Sequence, residues 1–106
     1  MKLKDGVVLG GLRPEVKAAL AVIEQIFQAL DLEMVVTSTT DDSPKRPLPA
    51  HREGRAVDLR AHQVNPFLLP LLRRNMEQAL GSKWTVKAVL FWPDIARTHV
   101  HAEIIK

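Results

Sequence analysis

The chain has 106 residues, 46% apolar and 25% charged, the profile of one ordinary globular domain spanning residues 1–106 with a modest core. It contains no cysteine, so disulfides and thiolate metal sites are excluded, and a transition-metal site must be built from histidine and carboxylate. No apolar run approaches the ~20 residues of a membrane span, and the net charge of +3 is only a mild bias towards anionic surroundings.

Residues 1–13 read as an irregular lead-in, with room for a short strand at residues 7–9. Lys2 and Lys4 precede an apolar patch, but Gly10 and Gly11 break it and Arg13 ends it, so it does not make a secretory signal. Pro14 suits the first position of a helix, and Glu15 suits its positive end. Val16, Ala19, Leu20, Ile23, Ile26, Phe27 and Leu30 then recur at helical spacing, predicting a helix over 14–30 with one apolar stripe. Residues 34–37 are short and rich in valine, and read as a strand. Residues 38–50 carry Ser, Thr, Asp and Pro and read as a loop, of a length often associated with function. Lys45, Arg46, Arg52, Arg55 and Arg60 make this middle region basic, which we read as solvated loop charge rather than a specific anion site.

Residues 55–60 alternate, with Val57 and Leu59 on one side and Ala56, Asp58 and Arg60 on the other, and predict a strand with Val57 and Leu59 in the core. An aspartate inside a strand is disfavoured, so Asp58 requires a reason. Asn65 can cap a second helix with Pro66 at its first position, and Gly81 can end it. Phe67, Leu68, Leu71, Leu72, Met76, Ala79 and Leu80 are its expected buried stripe, and Pro70 should kink its start or delay the regular helix by a turn. Residues 84–92 read as a strand, Pro93-Asp94 as a turn and residues 99–105 as the last strand. The expected fold class is α+β: an antiparallel sheet with two helices packed on it.

The chemistry concentrates in two stretches that hold three of the four histidines. The first is His51-Arg52-Glu53-Gly54-Arg55-Ala56-Val57-Asp58. The second is Thr98-His99-Val100-His101-Ala102-Glu103, where strand alternation puts His99, His101 and Glu103 on one face and Val100 and Ala102 on the other. Neutral imidazole and carboxylate are good zinc ligands at roughly 2.0–2.2 Å, and two histidines with one aspartate leave a fourth position for water, as in a catalytic site. His62 falls in no pattern and reads as structural or exposed.

His51-x-x-Gly54-x-Ala56-x-Asp58 resembles the first metal motif of the zinc D-alanyl-D-alanine peptidase family, which includes D,D-carboxypeptidases, D,D-dipeptidases and phage L-alanyl-D-glutamate endolysins. His99-x-His101 resembles its second motif, and Val36-Thr37-Ser38 sits where the family carries a strand ending in Ser or Thr. The resemblance covers about residues 12 to 105 and implies the compact metallopeptidase core shared with Hedgehog signalling domains. It implies that His51, Asp58 and His101 bind Zn2+. Gly54 would allow the tight turn that brings His51 over Asp58, and Ala56 would leave room beside the metal. It also implies hydrolysis of peptidoglycan stem or cross-link peptides by a metal-activated water. The family places an acidic residue three positions before its last ligand, and here that position is Thr98. Relatives with a His-x-His motif imply that His99 serves instead, as base or oxyanion stabiliser, ahead of Glu103 and Asp94, while Glu103 can also orient a ligand histidine. Thr39-Thr40-Asp41 stands where the family often has an arginine, and Pro49 stands where it often has a serine.

These features leave a zinc peptidase, a non-catalytic zinc-binding module on the same fold, and a basic nucleic-acid binder that rests on the 45–60 charges alone and is not expected. Peptidoglycan peptide is the expected partner and no membrane is expected. With no signal segment, the peptidase analogy leans towards a phage or prophage protein that stays in the cytoplasm until lysis.

Overall fold

The computed structural model describes residues 1–40, 49–90 and 93–105. The helix expected over 14–30 is α1 (Pro14–Ala29), with Pro14 in its first turn. Val16, Ala19, Leu20, Ile23 and Phe27 are buried along one stripe, and each of the four larger side chains stabilises by about 1.5–3 kcal/mol when fully taken from water. It ends where Asp31 takes a left-handed backbone (φ 57°), with Leu32 N–H donating to Phe27 O and Asp31 N–H to Gln28 O. This is the paired closure that satisfies the last carbonyls of a helix.

The chain then forms β2 (Val35–Ser38), one helical turn α2 (Pro49–Arg52), β3 (Ala56–Arg60), α3 (Leu69–Leu80), β4 (Trp84–Val89) and β5 (His99–Ile104). A two-residue strand, β1 (Lys2–Leu3), precedes them all. The sheet order is β1-β2-β3-β5-β4. The fold class α+β and the packing of α1 and α3 on the sheet are as expected, but the sheet is mixed rather than antiparallel. β1 runs parallel to β2, with Lys2 N–H donating to Met34 O and Lys4 N–H to Val36 O. α1 is the crossover that makes this possible, since parallel neighbours need a long connection. The short strand therefore lies at Lys2–Leu3 and not at residues 7–9. Lys2 suits an edge, where charge discourages further strand pairing.

The start of α3 also differs from the expected helix. Asn65 accepts a hydrogen bond from Phe67 N–H as an N-terminal cap, but Pro66–Leu68 is a tighter 3-10 turn, and the regular helix is delayed to Leu69, as Pro70 suggested. This shift of origin rotates the stripe. Leu69, Leu72 and Met76 are buried, whereas Phe67 is 91% exposed and Leu68, Leu71 and Ala79 also face outward. The strand expected over 84–92 ends at Val89, and residues 91 and 92 lie outside the described residues, as do Asp41, Lys45 and Arg46. The last strand ends at Ile104 rather than residue 105.

Val57, Leu59, Val86, Val100, Ala102 and Ile104 face α1 and α3 and share one core with Ile23, Phe27, Leu72 and Met76. The opposite face of the sheet carries Asp58, His101 and Glu103, and α2 lies against it. Among the described residues no helix is long and apolar enough to cross a membrane.

Candidate metal centre

Register brings the first two residues together. In the antiparallel pairing of β3 with β5, Asp58 lies directly opposite His101, Arg60 opposite His99 and Ala56 opposite Glu103. Paired residues on one face of a sheet have Cβ atoms about 5 Å apart, close enough for their side chains to meet. Asp58 Oδ1 stands 2.7 Å from His101 Nδ1. The strand aspartate thus has its reason: it is the carboxylate at the centre of the site, 16% exposed between two imidazoles.

The third residue arrives from α2. Glu53 N–H donates to Pro49 O, Gly54 N–H to His51 O and Arg55 N–H to Ala50 O, closing a turn that reverses the chain into β3. Gly54 makes the reversal with φ +73°, and a Cβ there would stand 2.4 Å from Gly11 O. Only glycine meets both conditions at no cost. The turn lays the His51 ring over Asp58, with its centroid 5.2 Å from that of His101. His51 Nδ1 is 2.7 Å from Thr39 O. A carbonyl only accepts, so Nδ1 carries the proton and the lone pair of the neutral ring sits on Nε2. That atom is 3.4 Å from Asp58 Oδ2, at an angle that makes no hydrogen bond. His51 is 1% exposed, and among the described residues Nε2 has no hydrogen-bond partner. A buried polar atom without a partner is costly and asks for an unseen one.

The charges around the site are strongly coupled. Burial disfavours the charged form of His51, but the Asp58 carboxylate outweighs it and holds the ring above the usual imidazole range. Burial opposes the charged His101 ring as well, and Asp58 and then Glu103 raise it. Burial would raise Asp58, yet the flanking His101 and His51 rings hold it well below the usual carboxylate range. Asp58 is thus a carboxylate held in its ionised form between two imidazole rings.

A second layer fixes the ring of His101. Its Nε2 is 3.0 Å from Glu103 Oε1, which directs Nδ1 towards Asp58. Glu103 Oε2 is 3.8 Å from Nη1 of Arg55, which also donates to Ile104 O at 2.8 Å. Arg55 Nη2 donates to Glu53 Oε1 at 2.8 Å. Arg55 is buried, although the sequence read it only as part of a solvated basic stretch. Thr39 is also buried, its hydroxyl donating to Val8 O at 2.6 Å while its carbonyl holds His51.

His51, Asp58 and His101 offer three ligand atoms within 4.8 Å of one another and can hold a metal ion. Ligands at ~2.0–2.2 Å from a shared ion stand roughly 3.4 Å apart in a tetrahedron, the spacing found between His51 Nε2 and Asp58 Oδ2. Glu103 is outside this group and acts on His101. His99 is also outside it, with Nδ1 3.0 Å from Arg97 O and its ring half-buried. Asp94 is exposed and leads into the turn Ile95–Arg97, Thr98 is buried, and His62 is exposed.

Two recesses flank His99. One, of about 280 Å³, opens on Asp58 and is lined by Thr37, Arg60 and His99 among others. The other, of about 460 Å³, opens on His101 and Glu103 below Pro49, Ala50 and Val89.

Comparison with protein-family models, with curated proteins and with solved structures finds no match.

Proposed function

We propose that the chain is a zinc-dependent peptidase hydrolysing peptidoglycan stem or cross-link peptides, with the core arrangement of the D-alanyl-D-alanine peptidases and Hedgehog domains. The observation that carries this reading is the buried Nε2 of His51, unpartnered among the described residues, beside a carboxylate and a second imidazole. Two imidazoles and one carboxylate without thiolate suit zinc, as they also suit iron(II), and leave a ligand position open. A zinc ion held by His51, Asp58 and His101 would polarise a substrate carbonyl and lower the pKa of a bound water.

The protein's own groups do the rest. The Thr39 carbonyl fixes the tautomer of His51, and Glu103 fixes the ring of His101, so both present a lone pair to one point. His99 donates Nδ1–H to Arg97 O, which fixes the orientation of its ring. On the wall of both recesses it is positioned to take a proton from the attacking water and to return it to the leaving amine. The two recesses accommodate the chain on either side of the scissile bond.

Thr98 favours a second reading, a non-catalytic zinc-binding module on the same fold. It stands where the related peptidases carry an acidic base, and it is 2% exposed. Incubating zinc-loaded protein with purified muropeptides and measuring released amine separates the two. The peptidase reading expects release that is lost in both His101→Ala and His99→Ala. Zinc held by the protein with no release from any wall peptide refutes it and leaves the module.

A further inference from the structure

The smaller recess beside Asp58 has a feature that zinc binding does not use. Three cationic side chains line it: Lys4, Arg60 and Arg97, with the single carboxylate of Asp58 on its wall. That carboxylate is already engaged by His101 and faces His51. Lys4 and Arg60 have no ion-pair partner among the described residues, whereas Lys2, two residues earlier, pairs with Glu33 at 3.3 Å. Both cations stand on a fixed backbone. Lys4 N–H is bonded to Val36 O at 2.9 Å, and Arg60 lies in the sheet opposite His99. Isolated surface cations remain in water, but cations converging on a concave wall focus their potential there and bind anions. A guanidinium adds the forked donor geometry that matches a carboxylate.

We propose that this recess is an anion subsite in which Lys4 and Arg60 bind a carboxylate of the substrate, making them specificity-determining residues for an acidic peptide. The proposal rests on the peptidase reading for the word substrate, but the recess itself does not depend on turnover. The carboxylate has two sources in such a peptide, the C-terminus and an acidic side chain. With the anion seated beside Asp58, the neighbouring carbonyl lies over the metal ligands, and the bond to be cut is close to the charged group.

The test is an NMR titration of zinc-loaded and zinc-free protein with three small probes. N-acetyl-D-alanine carries a terminal carboxylate, the α-amide of N-acetyl-D-glutamic acid carries one only on its side chain, and N-acetyl-D-alaninamide carries none. At least one carboxylate probe is expected to bind about tenfold or more tightly than the neutral amide, the value of a charged hydrogen bond. The probe that does so identifies the source. The preference should fall to near parity in the double variant Lys4→Gln/Arg60→Gln, with zinc content and melting temperature unchanged, and survive in Arg60→Lys. A preference that persists in the double variant, or no preference in the parent protein, overturns the proposal. Muropeptide cleavage by the same samples is read separately. Charge-dependent probe binding without cleavage sinks the peptidase and keeps the subsite, and cleavage with no carboxylate preference does the reverse.

Discussion

Gly54→Ala probes the turn on which the site depends. Gly54 has φ +73°, and holding an alanine in that region costs about 1–2 kcal/mol. Its new Cβ would also stand 2.4 Å from Gly11 O, 3.2 Å from Arg13 N and 3.3 Å from Leu12 Cα, all backbone atoms that cannot rotate away. Relieving this contact separates the two segments and breaks the 3.0 Å bond from Arg13 N–H to Gly54 O, a further loss of about 1 kcal/mol. The total is about 2–3 kcal/mol, which in a domain of this size lowers the melting temperature by roughly 8–24 °C. Gly6→Ala is the control. Its φ is +87° but nothing lies within 4 Å of the added Cβ, so only the backbone term of about 1–2 kcal/mol applies. The assay is scanning calorimetry of both variants with chelator, followed by a zinc titration. Because the turn holds His51, Gly54→Ala should also weaken zinc binding by about tenfold or more, as loss of a supporting contact does elsewhere. If Gly54→Ala melts no lower than Gly6→Ala and binds zinc as the parent does, the close approach does not position His51.

The pH dependence follows from the same charges. Folded His51 and His101 hold protons more tightly than in the unfolded chain, so in chelator their contribution is fully present below pH ~6.5 and is lost as pH rises through their folded values. Asp58 acts in the opposite sense: its contribution is present above pH ~4 and is lost on acidification. Chelated protein should therefore melt lower at pH 8 than at pH 6. Zinc needs neutral rings, so its stabilising effect should widen over the same interval; melting curves with and without zinc that stay parallel across it would contradict proton–metal competition. Glu103→Gln should weaken zinc binding by about 10–100-fold with little change in fold, measured by competition with a chelating dye. Phe67→Ser should change stability by less than about 0.5 kcal/mol, whereas Met76→Ala should cost about 2–5 kcal/mol in urea unfolding, because the first side chain is exposed and the second fully buried.

Side-chain alternation made much of the site legible in the sequence. It put His99, His101 and Glu103 on one face and Asp58 opposite Val57 and Leu59, and the structure keeps both faces. The register that sets Asp58 against His101 is a non-local fact that no local pattern carries. Phe67 and Leu71 were misplaced because the helical period was counted from Pro66, while the 3-10 turn moves the origin to Leu69. β1 is two residues of an edge strand, too short for a period and paired with a strand more than thirty positions away. α2, a single turn of four residues, is equally silent. Thr39 and Arg55 were missed for different reasons. Thr39 acts through its carbonyl, which every residue has, and Arg55 reaches Glu103 and Ile104 across the β3–β5 pairing, where sequence distance gives no hint.

The central claim is that His51, Asp58 and His101 form one metal site. Elemental analysis combined with native mass spectrometry of the untagged protein, purified without added metal and then given zinc, tests it directly. The account predicts one zinc per chain, tight enough to survive dialysis and absent from His51→Ala, Asp58→Asn and His101→Ala. A parent protein that retains no zinc, or a His51→Ala variant that retains it, would contradict the account.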